Sequence, residues 1–272
     1  MKKSLLHPFV RRTVAWALFP LLALVLRGDD LETLKAAADS GDSDAVTALA
    51  LAHYQGDGTA RDLERAFTLF EDVGRDSPEA AYYLGRMHAR GEGTRTDTRD
   101  AVRWWKRAVK ADHPRALNDL GLFYEKGIEV RQNYREAMDL YRQAAAVGHG
   151  PAMTRLGYLH ETGLAGTADI QQAIDWYRRA AGQDHTDALG NLGRIYWSGR
   201  QAGDAGPDYP TAVSYFRKGA ELGDPRSQHH LGLAYRDGKG VEPDPARAVA
   251  YFQKAADQGM PMAAHALGTL YL

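Results

Sequence analysis

Apolar and polar positions recur along this chain with a period of about 36 residues. A small residue is followed four positions later by Leu, then directly by Gly or Ala, and three positions on by Tyr or His. The set appears as Ala45/Leu49/Ala50/His53, Ala80/Leu84/Gly85/His88, Ala116/Leu120/Gly121/Tyr124 and Ala152/Leu156/Gly157/His160. It continues as Ala188/Leu192/Gly193/Tyr196, Ser227/Leu231/Gly232/Tyr235 and Ala263/Leu267/Gly268/Tyr271, with starts 35, 36, 36, 36, 39 and 36 residues apart. A second pattern follows each start by 21 residues, or 24 in the fifth copy: Ala66-Leu69-Phe70, Ala101-Trp104-Trp105, Ala137-Leu140-Tyr141, Ala173-Trp176-Tyr177, Ala212-Tyr215-Phe216 and Ala248-Tyr251-Phe252. Both patterns keep apolar residues at helical spacing, so each repeat predicts two amphipathic helices, a first and a second. Two short helices cannot bury both faces alone, so the units are expected to stack on a continuous core.

Punctuation agrees with this reading. Asp57-Gly58, Glu92-Gly93 and Lys239-Gly240 lie between the two helices, where a left-handed Gly is expected to end the first. Gly148, Gly223 and Gly259 are expected to do the same after the second helix, and Pro114, Pro151, Pro225 and Pro261 to stop it from continuing. Gly inside a helix costs about 0.5–1 kcal/mol relative to Ala. Its return at Gly85, Gly121, Gly157, Gly193, Gly232 and Gly268 therefore implies a packing reason, with the aromatic pair of the second helix approaching the backbone there.

Two stretches carry a family resemblance: Leu231-Gly232-Leu233-Ala234-Tyr235-Arg236-Asp237-Gly238-Lys239-Gly240-Val241, and Ala248-Val249-Ala250-Tyr251-Phe252-Gln253-Lys254-Ala255-Ala256. The sequence resembles the Sel-one-like repeat family, relatives of the tetratricopeptide repeat. The resemblance spans about Asp30 to Leu272. It implies an all-α fold, a right-handed α-α superhelix (solenoid) of about six helix–turn–helix repeats plus terminal half-repeats. A leading second helix is expected at Leu31 to Ser40, and a seventh first helix runs to Leu272. The resemblance also implies a non-catalytic adaptor that assembles protein complexes. Some secreted relatives carry a disulfide in each repeat, and a few are associated with penicillin binding or hydrolysis; this chain has no Cys and departs from that branch.

Residues 1–29 differ from the repeats at 30–272. Lys2, Lys3, Arg11 and Arg12 precede an apolar stretch, Val14 to Leu26, in the manner of a secretory signal. The stretch is short of the ~20 residues of a spanning helix, and no clear small-x-small cleavage site follows Leu26. A cleaved signal, an uncleaved signal-anchor with residues 14–26 attached to the membrane, twin-arginine export through Arg11-Arg12 and a buried cytoplasmic helix all remain open. Export is expected, with the solenoid periplasmic or anchored outside the cytoplasm. The balance of 34 basic and 35 acidic residues gives no reason to expect nucleic acid as a partner.

Candidate chemistry is sparse, and no cofactor or metal is expected. His53, His88 and His160 occupy the position that is Tyr in other copies, and His113, His149 and His185 share the turn after the second helix; register assigns them packing or capping. His229-His230 are adjacent and point about 100° apart on a helix, a poor ligand pair. The Gly-x-Gly fragments lack the preceding strand of a dinucleotide site, and no H-E-x-x-H or G-x-S-x-G motif occurs. Glu125 and Glu161 hold equivalent, exposed-looking positions in neighbouring repeats. As a facing pair they would suit a wall-directed hydrolase of the inverting type, the rival to an adaptor, beside a β-lactam-binding relative.

Subtracting the framework leaves a different surface. Positions two, six and nine after each start fall opposite the framework side of the first helix: Tyr82, Arg86 and Ala89; Asn118, Leu122 and Glu125; Thr154, Tyr158 and Glu161; Gly190, Arg194 and Trp197; His229, Leu233 and Arg236. In related solenoids the first helices line the concave face. Tyr82, Arg86, Asn118, Glu125, Tyr158, Glu161, Arg194, Trp197, His229 and Arg236 are therefore the candidate contacts for a partner protein or peptide, Tyr, Trp and Arg being types enriched at interface hot spots. Arg194 and Trp197 stand out, beside an enlarged loop at Gly199 to Pro210.

Overall fold

The computed structural model describes residues 28–201 and 206–270, and these contain helices and connecting turns without strands. The N-terminal signal or anchor, Tyr271 and part of the enlarged loop lie outside the described residues. The chain divides into two compact units, the first ending at Val147 and the second beginning at Gly148. The first holds α1 (Gly28–Asp39), α2 (Ser43–Gln55), α3 (Leu63–Val73), α4 (Pro78–Arg90), α5 (Thr98–Val109), α6 (Pro114–Lys126) and α7 (Tyr134–Ala146). The second holds α8 (Gly150–Thr162), α9 (Ile170–Ala181), α10 (Thr186–Ser198), α11 (Tyr209–Glu221), α12 (Pro225–Asp237), α13 (Pro245–Asp257) and α14 (Pro261–Leu270). Even-numbered helices are the first helices and odd-numbered the second. Within the units α2, α4, α6, α10 and α12 each pack on the second helix that follows and on the one before, α8 packs on α9, and α14 on α13. The leading half-repeat is α1, packed on α2.

Capping explains why the helices begin where they do. Every second helix from α3 to α13 starts after an acidic or amide cap: Asp62, Asp97, Asn133, Asp169, Asp208 or Asp244. Each side chain accepts hydrogen bonds from first-turn amides. The first helices start after Asp42, Ser77, His113, His149, His185 and Asp224. His113, His149 and His185 thus sit at caps, as register suggests. The prolines act differently from expectation. Pro114, Pro225 and Pro261 are the first residue of the next helix and Pro151 the second. There the missing N–H costs nothing and the fixed φ is already helical. They begin a helix.

A shift of two residues also corrects the glycine reading. First helices end at Gly56, Gly91 and Gly238, the first Gly of each Gly-x-Gly, with φ of +83°, +69° and +66°. Gly58, Gly93 and Gly240 are left-handed as well, but they lie in the loop. A Cβ on Gly93 would strike the Leu63 carbonyl, and one on Gly240 the Tyr209 carbonyl. At Gly93 and Gly240 the second Gly therefore lets the loop ride on the start of the preceding second helix.

The core follows the repeat. Leu84, Leu156, Leu192, Leu231, Phe70, Tyr141, Tyr177, Phe216 and Phe252 are fully buried. A Cβ on Gly85, Gly121, Gly157, Gly193 or Gly232 would run into the ring of Trp105, Tyr141, Tyr177, Phe216 or Phe252 respectively. The close approach belongs to the second aromatic of each pair. Gly268 in α14 meets nothing within 4 Å.

Candidate functional site

Each unit carries one cluster of charged and aromatic side chains on its first helices. In the first unit it joins α4 to α6. Glu79, in the first turn of α4, is buried and accepts hydrogen bonds from His113 Nε2 at 2.9 Å and from the Arg115 guanidinium. His113 caps α6, its Nδ1 accepting from the Ala116 amide at 3.2 Å. That bond leaves the ring proton on Nε2, aimed at the carboxylate. Burial pushes Glu79 upward, but the His113 hydrogen bond and the Arg115 charge outweigh it and hold its pKa below the ordinary value. Burial lowers His113, and the Glu79 contacts only partly oppose this. Tyr82 is buried here: its ring stacks on His113 at 4.7 Å and lies under the Arg115 guanidinium, also at 4.7 Å. Its hydroxyl is raised to about 12, chiefly by burial.

The remaining first-unit candidates are half-buried. The Arg86 guanidinium lies 5.5 Å from the Tyr54 ring centroid and 3.9 Å from Glu92. Asn118 donates to Asp119 at 3.0 Å. Glu125 accepts from the Tyr141 hydroxyl at 2.8 Å; it is tied to the second helix of its own hairpin.

In the second unit the cluster joins α8, α10 and α12. Glu161, at the end of α8, is buried, with a side chain only 5% exposed. It accepts from the Tyr177 hydroxyl at 2.9 Å, from Arg194 at 2.7 and 2.8 Å, and from Arg200 at 2.5 Å. Burial raises its pKa, yet the Arg194 bond and charge, the Tyr177 hydroxyl and Arg200 together pull it below the ordinary value. Trp197, half-buried, is fixed by the rings of Tyr209 (4.9 Å), Phe216 (6.0 Å) and His230 (6.1 Å), and Lys239 Nζ lies 5.6 Å from both the Trp197 and Tyr209 centroids. Tyr158 is 39% exposed. Arg236 is exposed and grips Asp237 at 2.7 and 3.2 Å. His229 is buried against Phe252 and His230. His230 stacks on Phe216 at 4.5 Å, and burial, aided by His229 and Arg194, drops its pKa to about 4.

Tyr82, Glu161 and His229 thus lie inside the stack, although the helical wheel sets them opposite the framework. A wheel describes one helix alone. Once hairpins stack, Tyr82 meets the next hairpin, His229 its own second helix, and Glu161 both its own second helix and the next first helix. Arg200, Lys239 and Tyr209 join the second cluster from loop ends and a second-helix start, outside the wheel rule. No group of three metal-ligating side chains occurs among the described residues. With its pKa held below the ordinary value, Glu161 does not suit the general-acid role of an inverting glycosidase, whose other carboxylate, the general base, is the ionised one.

The residue ranges 43–71, 78–113, 114–149, 150–185, 186–224 and 225–260 each match the family profile of the Sel1 repeat. Among solved structures, c5321, a protective antigen of uropathogenic Escherichia coli with an SLR fold, superposes with a TM-score of 0.77 at 32% identity. The match covers 88% of this chain and 51% of that protein, so the chain spans about half its length. A Sel1 repeat protein from Oxalobacter formigenes gives 0.75 at 23% identity, covering 84% and 99%. Immunity protein Pa5087 from Pseudomonas aeruginosa gives 0.52 at 21%, covering 79% and 81%. The last two show the fold alone. No curated protein matches the chain.

Proposed function

Because the chain belongs to the Sel1 repeat family, whose members are generally protein-interaction scaffolds, we propose that it is a non-catalytic adaptor. It holds a partner protein or peptide on the surface of its first helices, the concave side in related solenoids. The observation that carries this reading is the pre-set platform on α10. Arg194 is locked by Glu161 and Trp197 by three rings, yet the Arg194 side chain remains 42% exposed. Anchors already held in place lose little rotamer freedom on binding, and Trp and Arg are the residues that most often dominate interface energy. Tyr158 and Arg236 extend the platform along α8 and α12, while Arg86, Asn118 and Glu125 offer a weaker surface in the first unit.

Bacterial Sel1 repeat proteins are often periplasmic or exported. The basic and then apolar residues of 1–29 support the same destination here, with 14–26 as signal or membrane anchor. No described helix is long and apolar enough to cross a membrane. A photo-crosslinking amino acid at Tyr158, used in the native cell, tests the adaptor reading. It should capture a discrete protein, and combined Arg194→Ala and Trp197→Ala changes should abolish capture while the helical circular dichroism persists. Undiminished capture by the double variant would sink the proposal.

A further inference from the structure

Charge around Trp197 is lopsided. Arg194 and Arg200, with side chains 42% and 44% exposed, both spend hydrogen bonds on the single carboxylate of Glu161, which lies beneath them. Among the described residues the two guanidiniums share that one carboxylate. Nearby, Arg236 and Lys239 share Asp237, at 2.7 and 3.8 Å, and Lys239 covers the Trp197 ring. Among the described residues, the ion pairs here set four cations against two carboxylates. The acids Asp187 and Asp224, engaged with Arg226, sit at the N-terminal ends of α10 and α12, the opposite end of both helices. Asp208 is occupied in capping α11.

Resting on the adaptor reading, we infer that the α8–α10–α12 face of the second unit takes an acidic peptide segment carrying an apolar side chain. Its carboxylates pair with the free edges of Arg194 and Arg200 and with Lys239, and the apolar side chain lies against Trp197 and Tyr158. The guanidiniums suit this task because Glu161 holds them from behind, leaving the remaining N–H groups of each planar fork for a carboxylate. Lys239 on the Trp197 face is poised in the same way: a peptide carboxylate reaching it would complete a cation already placed against an aromatic ring. The peptide supplies negative charge to these cations.

The test is selection from an unbiased random dodecapeptide library on the immobilised full-length chain, followed by fluorescence anisotropy on labelled winners. Selected sequences should be enriched in Asp and Glu around an aromatic or aliphatic residue, and binding should weaken several-fold as salt rises from 50 to 300 mM, since exposed charges are screened. Lys239→Gln leaves the buried carboxylate paired and should weaken binding about two- to fivefold, as each exposed pair contributes up to about 1 kcal/mol. Arg200→Gln should do the same, and Lys106→Gln on α5 should have no effect. Neutral or basic winners that still need Trp197 would overturn the acidic assignment and leave the adaptor standing. So would acidic winners indifferent to both Lys239→Gln and Arg200→Gln. If no winner loses binding on Trp197→Ala, both readings fall.

Discussion

The α4–α6 cluster and the α8–α12 cluster are built on the same device, a carboxylate buried among first helices and answered by arginine, yet the two do different work. At Glu79 one of the two partners is sealed, and the other, Arg115, keeps a side chain 39% exposed. His113 is almost wholly buried, and Arg115 lies against the rings of Tyr82 and Tyr83. At Glu161 two guanidiniums stand at the surface. A buried carboxylate can therefore tie a stack together or act as the hidden support of a cationic surface. What differs is the second partner, a buried histidine at Glu79 and a second half-exposed arginine at Glu161.

The sharpest way to break this comparison is to remove each carboxylate. Glu79→Ala leaves the buried His113 N–H without an acceptor, beside an Arg115 that water partly reaches, and should cost about 2–3 kcal/mol. Glu161→Ala leaves two arginines that water already reaches and should cost about 1–2 kcal/mol. Urea denaturation at pH 7 measures both, and equal losses would erase the distinction.

Acid is the next lever. His230 has its pKa lowered to about 4 from 6.5, so the unfolded chain takes up the proton first. Its contribution is fully present above about pH 6.5 and is lost as pH falls towards 4, at about 1.4 kcal/mol per pH unit. Between pH 7 and 5 the second unit should lose about 2 kcal/mol on this account. His230→Phe, which keeps the stack on Phe216, should remove that loss from the pH dependence of unfolding. An unchanged slope in the variant would show that His230 is solvated.

The smallest effect separates the two arginines. Arg115→Lys gives up a planar contact with two tyrosines and should cost about 1 kcal/mol of stability. Arg194→Lys should change stability by less than about 0.5 kcal/mol while weakening peptide binding, because Arg200 and Tyr177 still satisfy Glu161. Thermal unfolding and anisotropy on the same samples distinguish the two outcomes.

Most of the fold was legible in the chain because burial in a repeat imposes a period. Leu156 and Leu192 fall where the register puts them, and each helical Gly from Gly85 to Gly232 meets an aromatic ring. The Gly-x-Gly turns were misread by two residues, since either Gly can be left-handed and only the neighbouring carbonyl tells which role each has. The surface was half legible. Arg194, Trp197, Tyr158 and Arg236 keep exposed area, whereas Tyr82, Glu161 and His229 are covered by neighbours that a single helical wheel does not contain.

By itself the amino-acid order determined the helical hairpins, their caps, their stacking core and the family they belong to, because those depend on local propensity and on a burial pattern repeated six times. Only the tertiary structure decided that His113 faces Glu79, that Arg194 and Arg200 converge on Glu161, and that Lys239 covers Trp197. These partners stand 34, 33, 39 and 42 residues apart. Nothing in local sequence states such distances; they exist only when one hairpin has been laid against the next.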